Sequence, residues 1–366
     1  MGEAGSGAFR KICCLLHSLG EGGATWHWVR LLAHHVERGD SATIIAQPGP
    51  LAEVACSAAI DVSPVSWSEG GSQDRIWRTV GEHDVAIVQW ELGPVDIFAR
   101  TLETCGGAAL AVHGAPQTAT RRLAPPGPMK LRRAIERAAA DPRAVALVCG
   151  AAHRRKVAAA YGIPTDALRV MPASVPLQEL SFDPAVGEPR KLLAMTRLAP
   201  EKMAIVRLAV ELTRERLASG GACRLAVVGD GPRRAEAVEL CERRLPPGSW
   251  QVDGAPADPI AQLAASDLIV AQGMTTLEGA ALGRRVVVAR SLGAREASGA
   301  VLTPNNYDEA ARDPFGGPRV TEDAAQLWDE LLAVDQTDLT TLRQLVQKHN
   351  SLEVTAQALD QALAAA

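Results

Sequence analysis

The sequence of 366 residues predicts an α/β fold of two successive doubly wound, Rossmann-like domains, and three observations carry that expectation. Its length exceeds that of one ordinary domain, and 47% apolar with 22% charged residues is a globular composition able to fill two cores. Short, near-continuous apolar runs alternate with helical patterns, as parallel strands buried on both faces do. The alternation pauses at a Pro- and Gly-containing stretch, FDPAVGEPR (182–190), and then begins again.

In the first half, KICCLL (11–16) predicts the opening strand. A helix follows from about Ala24 to Glu37, with Val29, Leu32, Ala33 and Val36 on one face, and Arg38-Gly39 ends it. ATIIA (42–46), DVAIV (84–88), ALAVH (109–113), AVALV (144–148) and LRVMP (168–172) continue the strands. In the second half, KLLAMT (191–196) precedes a helix carrying Ile205, Leu208, Ala209 and Leu212, which stops at Gly220-Gly221. CRLAVVG (223–229), SWQVDG (249–254), DLIVA (267–271), RVVVA (285–289) and AVLTP (300–304) are the further strands. A long helical tail over about 322–363 closes the chain. Boundaries are expected at 1–182, 183–345 and a terminal helix at 346–366. Two such sheets are expected to face a cleft, with ligands outside the carboxyl ends of the strands, so functional residues belong in the loops that follow them.

A net charge of −4 excludes a general nucleic-acid binder. No run reaches the roughly 18 to 20 apolar residues needed to span a bilayer. Ile12 to Leu16 is too short for a signal-peptide core, although MGEAGS formally matches the myristoylation pattern at Gly2. Seven cysteines at irregular spacing make no disulfide framework; several lie in strand-like runs, where Cys acts as a small hydrophobe. A reducing cytoplasm is the expected compartment. Only six of the 38 basic residues are Lys, a bias of GC-rich, bacterial-looking composition.

Four strand-end segments carry chemistry. GEGGAT (20–25) is a glycine loop at a helix start, either a tight turn or an anion cradle. Thr25 occupies the third position of a dinucleotide fingerprint, and AQPG (46–49) lacks the acidic ribose ligand, so NAD is disfavoured. TRLAPEK (196–202) places Arg197 and Lys202 after a strand, able to neutralise a diphosphate or simply solvated. VVGDGPRR (227–234) is a strand, a glycine turn containing Gly231, and a helix. AQGMTTLEGAALGRRVVV (271–288) predicts a short helix opened by Thr275 and Thr276 and stopped at Gly283. Its first-turn amides suit a pyrophosphate, and Glu278 one turn in suits either a ribose or the helix dipole.

In order and spacing these segments resemble the glycosyltransferases of the GT-B fold, specifically family 4, over nearly the whole chain. LHSLGEGGA, AVHGAP (111–116), VMPASV (170–175), TRLAPEK, VVGDGP and TTLEGAALGRRVVV carry the likeness. The resemblance implies a retaining, metal-independent transferase that needs no cofactor and moves a sugar from a nucleotide-diphosphate sugar, UDP- or GDP-linked, to an acceptor hydroxyl. It implies an N-terminal acceptor domain, a C-terminal donor domain and a last helix packing back on the first domain. Arg197 and Lys202 would hold the diphosphate and stabilise the leaving group, Glu278 would bind the ribose, and Gly22 and Gly23 would approach the phosphates. Gly231, Thr275 and Thr276 complete the donor set, and His113 would sit beside the transferred sugar.

One departure stands out. The family pattern has two glutamates eight positions apart, and eight before Glu278 stands Val270 within a strand. Alternatives are an inverting transferase or sugar-nucleotide epimerase, with His17 or Glu91 as base, a non-catalytic nucleotide-sugar binder, or a plain interaction protein.

Acceptor candidates are Trp90, Glu91, Arg121 and Arg122, with a saccharide, lipid-linked or small-molecule acceptor. Trp26 and Trp28 could also stack on a sugar or pack in the core. From Arg121 to Arg143, seven basic residues face two acidic ones, either a solvated surface or a contact with the inner membrane surface. His17, His27, His34 and His35 lack zinc-ligand spacing, and no metal is expected.

Overall fold

A computed structural model describes residues 9–20, 22–67, 73–89, 95–112, 127–291, 297–310 and 320–364. The chain divides into two compact units, one of residues 1–174 with 352–366, the other of residues 175–351. The sequence placed the crossing at 182/183 and the return at 345/346.

The first unit runs β1 (Lys11–Ser18), α1 (Gly23–Glu37), β2 (Ser41–Gln47), α2 (Leu51–Ser57), β3 (Asp61–Pro64), α3 (Gln73–Gly81) and β4 (Val85–Gln89). It continues through α4 (Val95–Thr104), β5 (Gly107–Val112), α5 (Gly127–Ala140), β6 (Ala144–Val148), α6 (Ala151–Tyr161) and β7 (Leu168–Val170). Among the described residues its sheet is seven-stranded and parallel, in the order β3-β2-β1-β4-β5-β6-β7. Strand side chains alternate between faces. Accordingly Cys13 and Leu15 enter one core, with Val80, Phe98 and Ile135, while Ile12, Cys14 and Leu16 enter the other, with Trp28 and Leu32. Burial pushes both thiols well above their usual range, with Cys105 adding to it at Cys13 and Cys13 adding to it at Cys14, so both are buried core residues.

The second unit runs β8 (Lys191–Met195), α7 (Met203–Ala218), β9 (Arg224–Val228), α8 (Arg234–Arg244), β10 (Trp250–Asp253), α9 (Pro259–Ala264) and β11 (Leu268–Ala271). Then come α10 (Met274–Ala281), β12 (Arg285–Ser291), β13 (Ala297–Val301), α11 (Tyr307–Ala310), α12 (Ala324–Ala333) and α13 (Gln336–Asn350). Its sheet has the order β10-β9-β8-β11-β12-β13. The order reverses between β8 and β11, as it does between β1 and β4 in the first unit, and such reversals open a crevice at the strands' carboxyl ends.

The linker-like stretch 182–190 belongs to the second unit. Asp183 N donates to Leu282 O (3.3 Å) and Ala185 N to Gly283 O (2.9 Å). Buried Arg285 donates to Ala185 O (2.7 Å), Leu331 O (3.0 Å) and Val334 O (2.9 Å), taking up carbonyls at the end of α12.

Three expectations need correction. The helical tail is α12, α13 and α14 (Leu352–Ala364), because Asp335 opens α13 with a capping box to Asp338 and Ser351 is extended. The last strand is 297–301 rather than 300–304, and it is antiparallel to β12, the strand it follows too closely for a crossover helix. The short edge strand β3, DVSP, has no apolar run and was not foreseen. Among the described residues no helix is long and apolar enough to cross a membrane.

Ala356, Leu359 and Ala362 of α14 join the core beneath α1. A charged cluster sits beside them: Asp360 pairs with Arg10 and Arg38, and Asp40 accepts from Arg10 N (3.0 Å) and His35 Nδ1 (3.0 Å). Burial lowers the pKa of His35, and its Nε2 has no acceptor among the described residues, so adding a proton there is unfavourable. Burial pushes Asp40 up, but the Arg10 N–H and the His35 and Arg10 contacts outweigh it, and its net pKa is lowered. Both groups bind a proton more readily when unfolded, so stability is lost as pH falls, first below about 6.5 for His35 and then below the carboxylate range for Asp40. Urea titrations between pH 8 and 5 should show the His35 part of this loss below about pH 6.5, and His35→Gln should flatten the profile there.

Candidate functional site

The candidate site lies at the reversal of strand order in the second unit. After β8 the chain is anchored by Leu198, which is fully buried. Thr196 N donates to Val228 O (3.0 Å), Leu198 N to Asp230 O (2.9 Å), and Arg233 N back to Leu198 O (2.9 Å). These bonds draw the β9–α8 loop against the β8 loop. Gly229 and Gly231 have φ of +141° and +152°, and a Cβ on them would lie 2.0 Å from Thr196 O and 2.4 Å from Leu198 O. Loop-on-loop packing therefore accounts for Gly231. The Asp230 carboxylate accepts from Ala255 N (2.8 Å), adding the loop after β10 to the lacing.

Arg197 and Lys202 emerge from this scaffold differently. The Arg197 guanidinium donates to Glu201 Oε1 (2.6 Å), both side chains being more than half exposed. The Glu201 carboxyl, raised by burial but lowered further by a backbone N–H and by Arg197, sits below its usual range. Lys202 ends a short 3-10 turn, Pro200–Lys202, and its Nζ donates to Gln272 Oε1 (2.7 Å). Burial lowers the Lys202 pKa, nearby Glu201 opposes this and Arg197 adds to it.

Gln272 and Gly273 alone connect β11 to α10. Gly273 has φ +71° and ψ −132°, which turns the chain into the helix. Thr275 is half-buried; Thr276 is buried, and its Oγ1 has no hydrogen-bond partner among the described residues. Glu278 follows one turn later at 7% exposure. Gly279 lets α10 close onto the sheet, since a Cβ there would meet Ile269 Cδ1 at 2.8 Å, and Gly283 (φ +79°) ends the helix as expected. Val270 is fully buried in the ladder between Ala194 and Val287, so an ionised carboxylate at that position would be unpaired in the sheet core.

In the first unit, Gly22 caps α1 with extended φ of −178°, and among the described residues nothing lies within 4 Å of a Cβ built there. Gly23 is the first residue of α1. His17 is exposed near the end of β1, its carbonyl accepting from Trp67 Nε1 (2.8 Å). Trp28 is wholly buried, which removes it as a sugar platform; Trp26 packs against the same core with the Arg30 guanidinium 4.9 Å from its ring centroid. His27 is buried, with Nδ1 2.9 Å from Ser174 Oγ. Among the described residues no three His, Cys, Asp or Glu side chains group as metal ligands. His113, Trp90, Glu91, Arg121 and Arg122 lie outside the described residues. Of the other basic residues up to Arg143, Arg132 pairs with Glu136, Arg137 with Glu103 and Arg143 with Asp141.

Sequence reasoning brought out Arg197, Lys202, Thr275, Thr276 and Glu278, and the structure sets the first two in the segment after β8 and the other three on α10, the helix after β11. It missed Gln272, a polar residue with no periodic or motif signal, visible only through its distance to Lys202.

No family model matches the chain, and no curated protein does. Solved structures do. HepE from Anabaena in complex with UDP-glucose is 16% identical, with a TM-score of 0.73 over 98% of this chain and 100% of that one. A glycosyltransferase from Rickettsia africae is 15% identical (TM-score 0.71, 97% and 98%). WaaG, a glycosyltransferase involved in lipopolysaccharide biosynthesis, is 14% identical (0.63, 96% and 99%). The chain thus has the GT-B fold of these enzymes, two Rossmann-like units.

Two glycines differ in the room they leave for a side chain. Gly231→Ala should cost at least about 1 to 3 kcal/mol in denaturant unfolding, because backbone atoms block the Cβ and φ is unsuited to alanine. Gly22→Ala should cost less than about 1 kcal/mol, the ordinary cap effect.

Proposed function

We propose that the protein is a glycosyltransferase that moves a sugar from a nucleotide-diphosphate sugar to an acceptor hydroxyl. The observation that carries this is the pairing, at one strand-order reversal, of a partly buried ammonium, Lys202, with the start of α10 and its buried Thr276. Cations and first-turn amides converging outside a parallel sheet suit a diphosphate. The likeness to HepE solved with UDP-glucose supports a UDP-sugar donor.

In this reading Lys202 and Arg197 hold the diphosphate, Thr275 and Thr276 contribute N–H and hydroxyl groups, and Glu278 accepts the ribose hydroxyls. The bond from the anomeric carbon to the phosphate oxygen breaks, its electron pair leaving with the nucleoside diphosphate. The acceptor oxygen bonds the same carbon, and its proton passes to the departing diphosphate. Lys202 and Arg197 stabilise the charge gathering on the leaving group, the part a divalent cation plays elsewhere, so the reaction is read as metal-independent. From the family 4 resemblance come retention of configuration, phosphate approach by Gly22 and Gly23, and His113 beside the transferred sugar. Trp90, Glu91, Arg121 and Arg122 then belong to acceptor binding. The setting proposed is the cytoplasm, with the basic stretch near the inner membrane surface. Val270 favours a second reading, a nucleotide-sugar binder without turnover, because the family's first carboxylate is replaced by a core residue.

Calorimetric titration of UDP, GDP, ADP and dTDP tests the site. One diphosphate, UDP by this reading, should bind, and Lys202→Ala and Glu278→Gln should each weaken it by about 1.5 to 3 kcal/mol, roughly 10- to 150-fold. Equal binding by the variants refutes the assignment. Release of UDP from UDP-glucose with an acceptor panel separates transferase from binder.

A further inference from the structure

Lys202, in the 3-10 turn that follows β8, and Gln272, directly after the neighbouring strand β11, lie on either side of the reversal, and their 2.7 Å hydrogen bond spans it. Two features fix how that bond is used. Glu201, the carboxylate next in sequence, is committed to Arg197 at 2.6 Å, and among the described residues no ion pair joins Lys202 to a carboxylate. The β11–α10 connection is only Gln272 and Gly273, so Gln272 is the one side chain longer than hydrogen that it carries.

From this geometry we infer that Gln272 is a positioning residue for a diphosphate: its carbonyl oxygen holds the Lys202 ammonium at the reversal without cancelling its charge, and its amide N–H groups are left to face the same anion. The inference rests on reading this pocket as a diphosphate site. Because Oε1 accepts from Lys202, Nε2 carries both remaining donors. Arg197 is already paired with Glu201, so of the two cations after β8 Lys202 is the one that no carboxylate pairs with among the described residues. A carboxylate at 272 would keep the shape and the bond to Lys202, but it would neutralise the ammonium and turn an oxygen instead of donors toward the phosphates. The neutral amide is thus a requirement for anion binding, and burial of Lys202 makes its charge more sensitive to what lies beside it.

The test uses the full chain, with UDP and uridine titrated in parallel into wild type, Gln272→Glu and Gln272→Met. The expected result is a loss of UDP affinity of about 10- to 100-fold in Q272E, the range of a charged hydrogen bond. Q272M, which keeps the bulk but holds nothing, should lose about 3- to 10-fold, within the range of a neutral hydrogen bond. Uridine binding should change less than about twofold in both, since only the diphosphate feels the lost donors and charge. Q272E binding UDP within about threefold of wild type overturns the role of Gln272 and leaves the pocket reading standing. Parallel loss of UDP and uridine also overturns it, because Gln272 would then act by holding the loop. Should Q272E fail to fold by thermal melting, Q272M decides, and undiminished UDP affinity there counts against the proposal. Wild type binding no UDP removes the pocket reading, and the role of Gln272 with it.

Discussion

Parallel pairing of β8 with β11, from Leu192 opposite Leu268 to Ala194 opposite Val270, sets two strands side by side whose outgoing chains run apart. Wherever a parallel sheet reverses its order this way, the loops leaving the two strands cannot cover the gap between them. The candidate site residues of the second unit follow those two strands: Arg197 and Lys202 in the segment after β8, Gln272 in the turn after β11, and Thr275, Thr276 and Glu278 on α10. The pairing is held by fully buried side chains, Ile269 and Val270 among them. The same burial that makes the strands stable denies position 270 to a charged group.

The loops after β8, β9 and β10 are held by backbone and side-chain hydrogen bonds. Backbone bonds from Thr196, Leu198 and Arg233, with Asp230 reaching Ala255, lace the ends of β8, β9 and β10 together. That lacing uses up Gly229 and Gly231, which are needed where carbonyls approach within the reach of a Cβ. Preorganisation of this kind matters for a charged pocket, because donors already in place need not be reordered when an anion arrives. Partial burial of Lys202 costs some of its preference for the charged form, and a bound diphosphate would return it.

Much of this architecture was legible in the sequence because parallel strands are buried on both faces. KICCLL, AVALV and KLLAMT announce themselves as unbroken apolar runs, and Gly283 ends α10 where turn chemistry says it should. What was not legible depends on partners distant in sequence. β3 is a short edge strand without an apolar run, and β13 turns antiparallel because too few residues separate it from β12. The breaks at Asp335 and Ser351 hide in an otherwise helical pattern, since a cap and one extended residue leave the periodicity almost intact. For the candidate site, Arg197, Lys202 and Glu278 were proposed from residue type and from their place after a strand. Gln272 was not, because its meaning lies in one distance to a side chain 70 positions away. Gly231 was read toward a ligand, and the close carbonyl of Leu198 adds a packing reason for glycine there that the sequence did not show.

The central claim is that a nucleoside diphosphate binds at the reversal between β8 and β11. Hydrogen exchange of the full chain with and without saturating UDP tests it most directly, because it reports where on the backbone the ligand acts. The account predicts slowed exchange in 196–203 and 272–279. UDP that binds yet leaves both segments unchanged, with protection elsewhere, would contradict it.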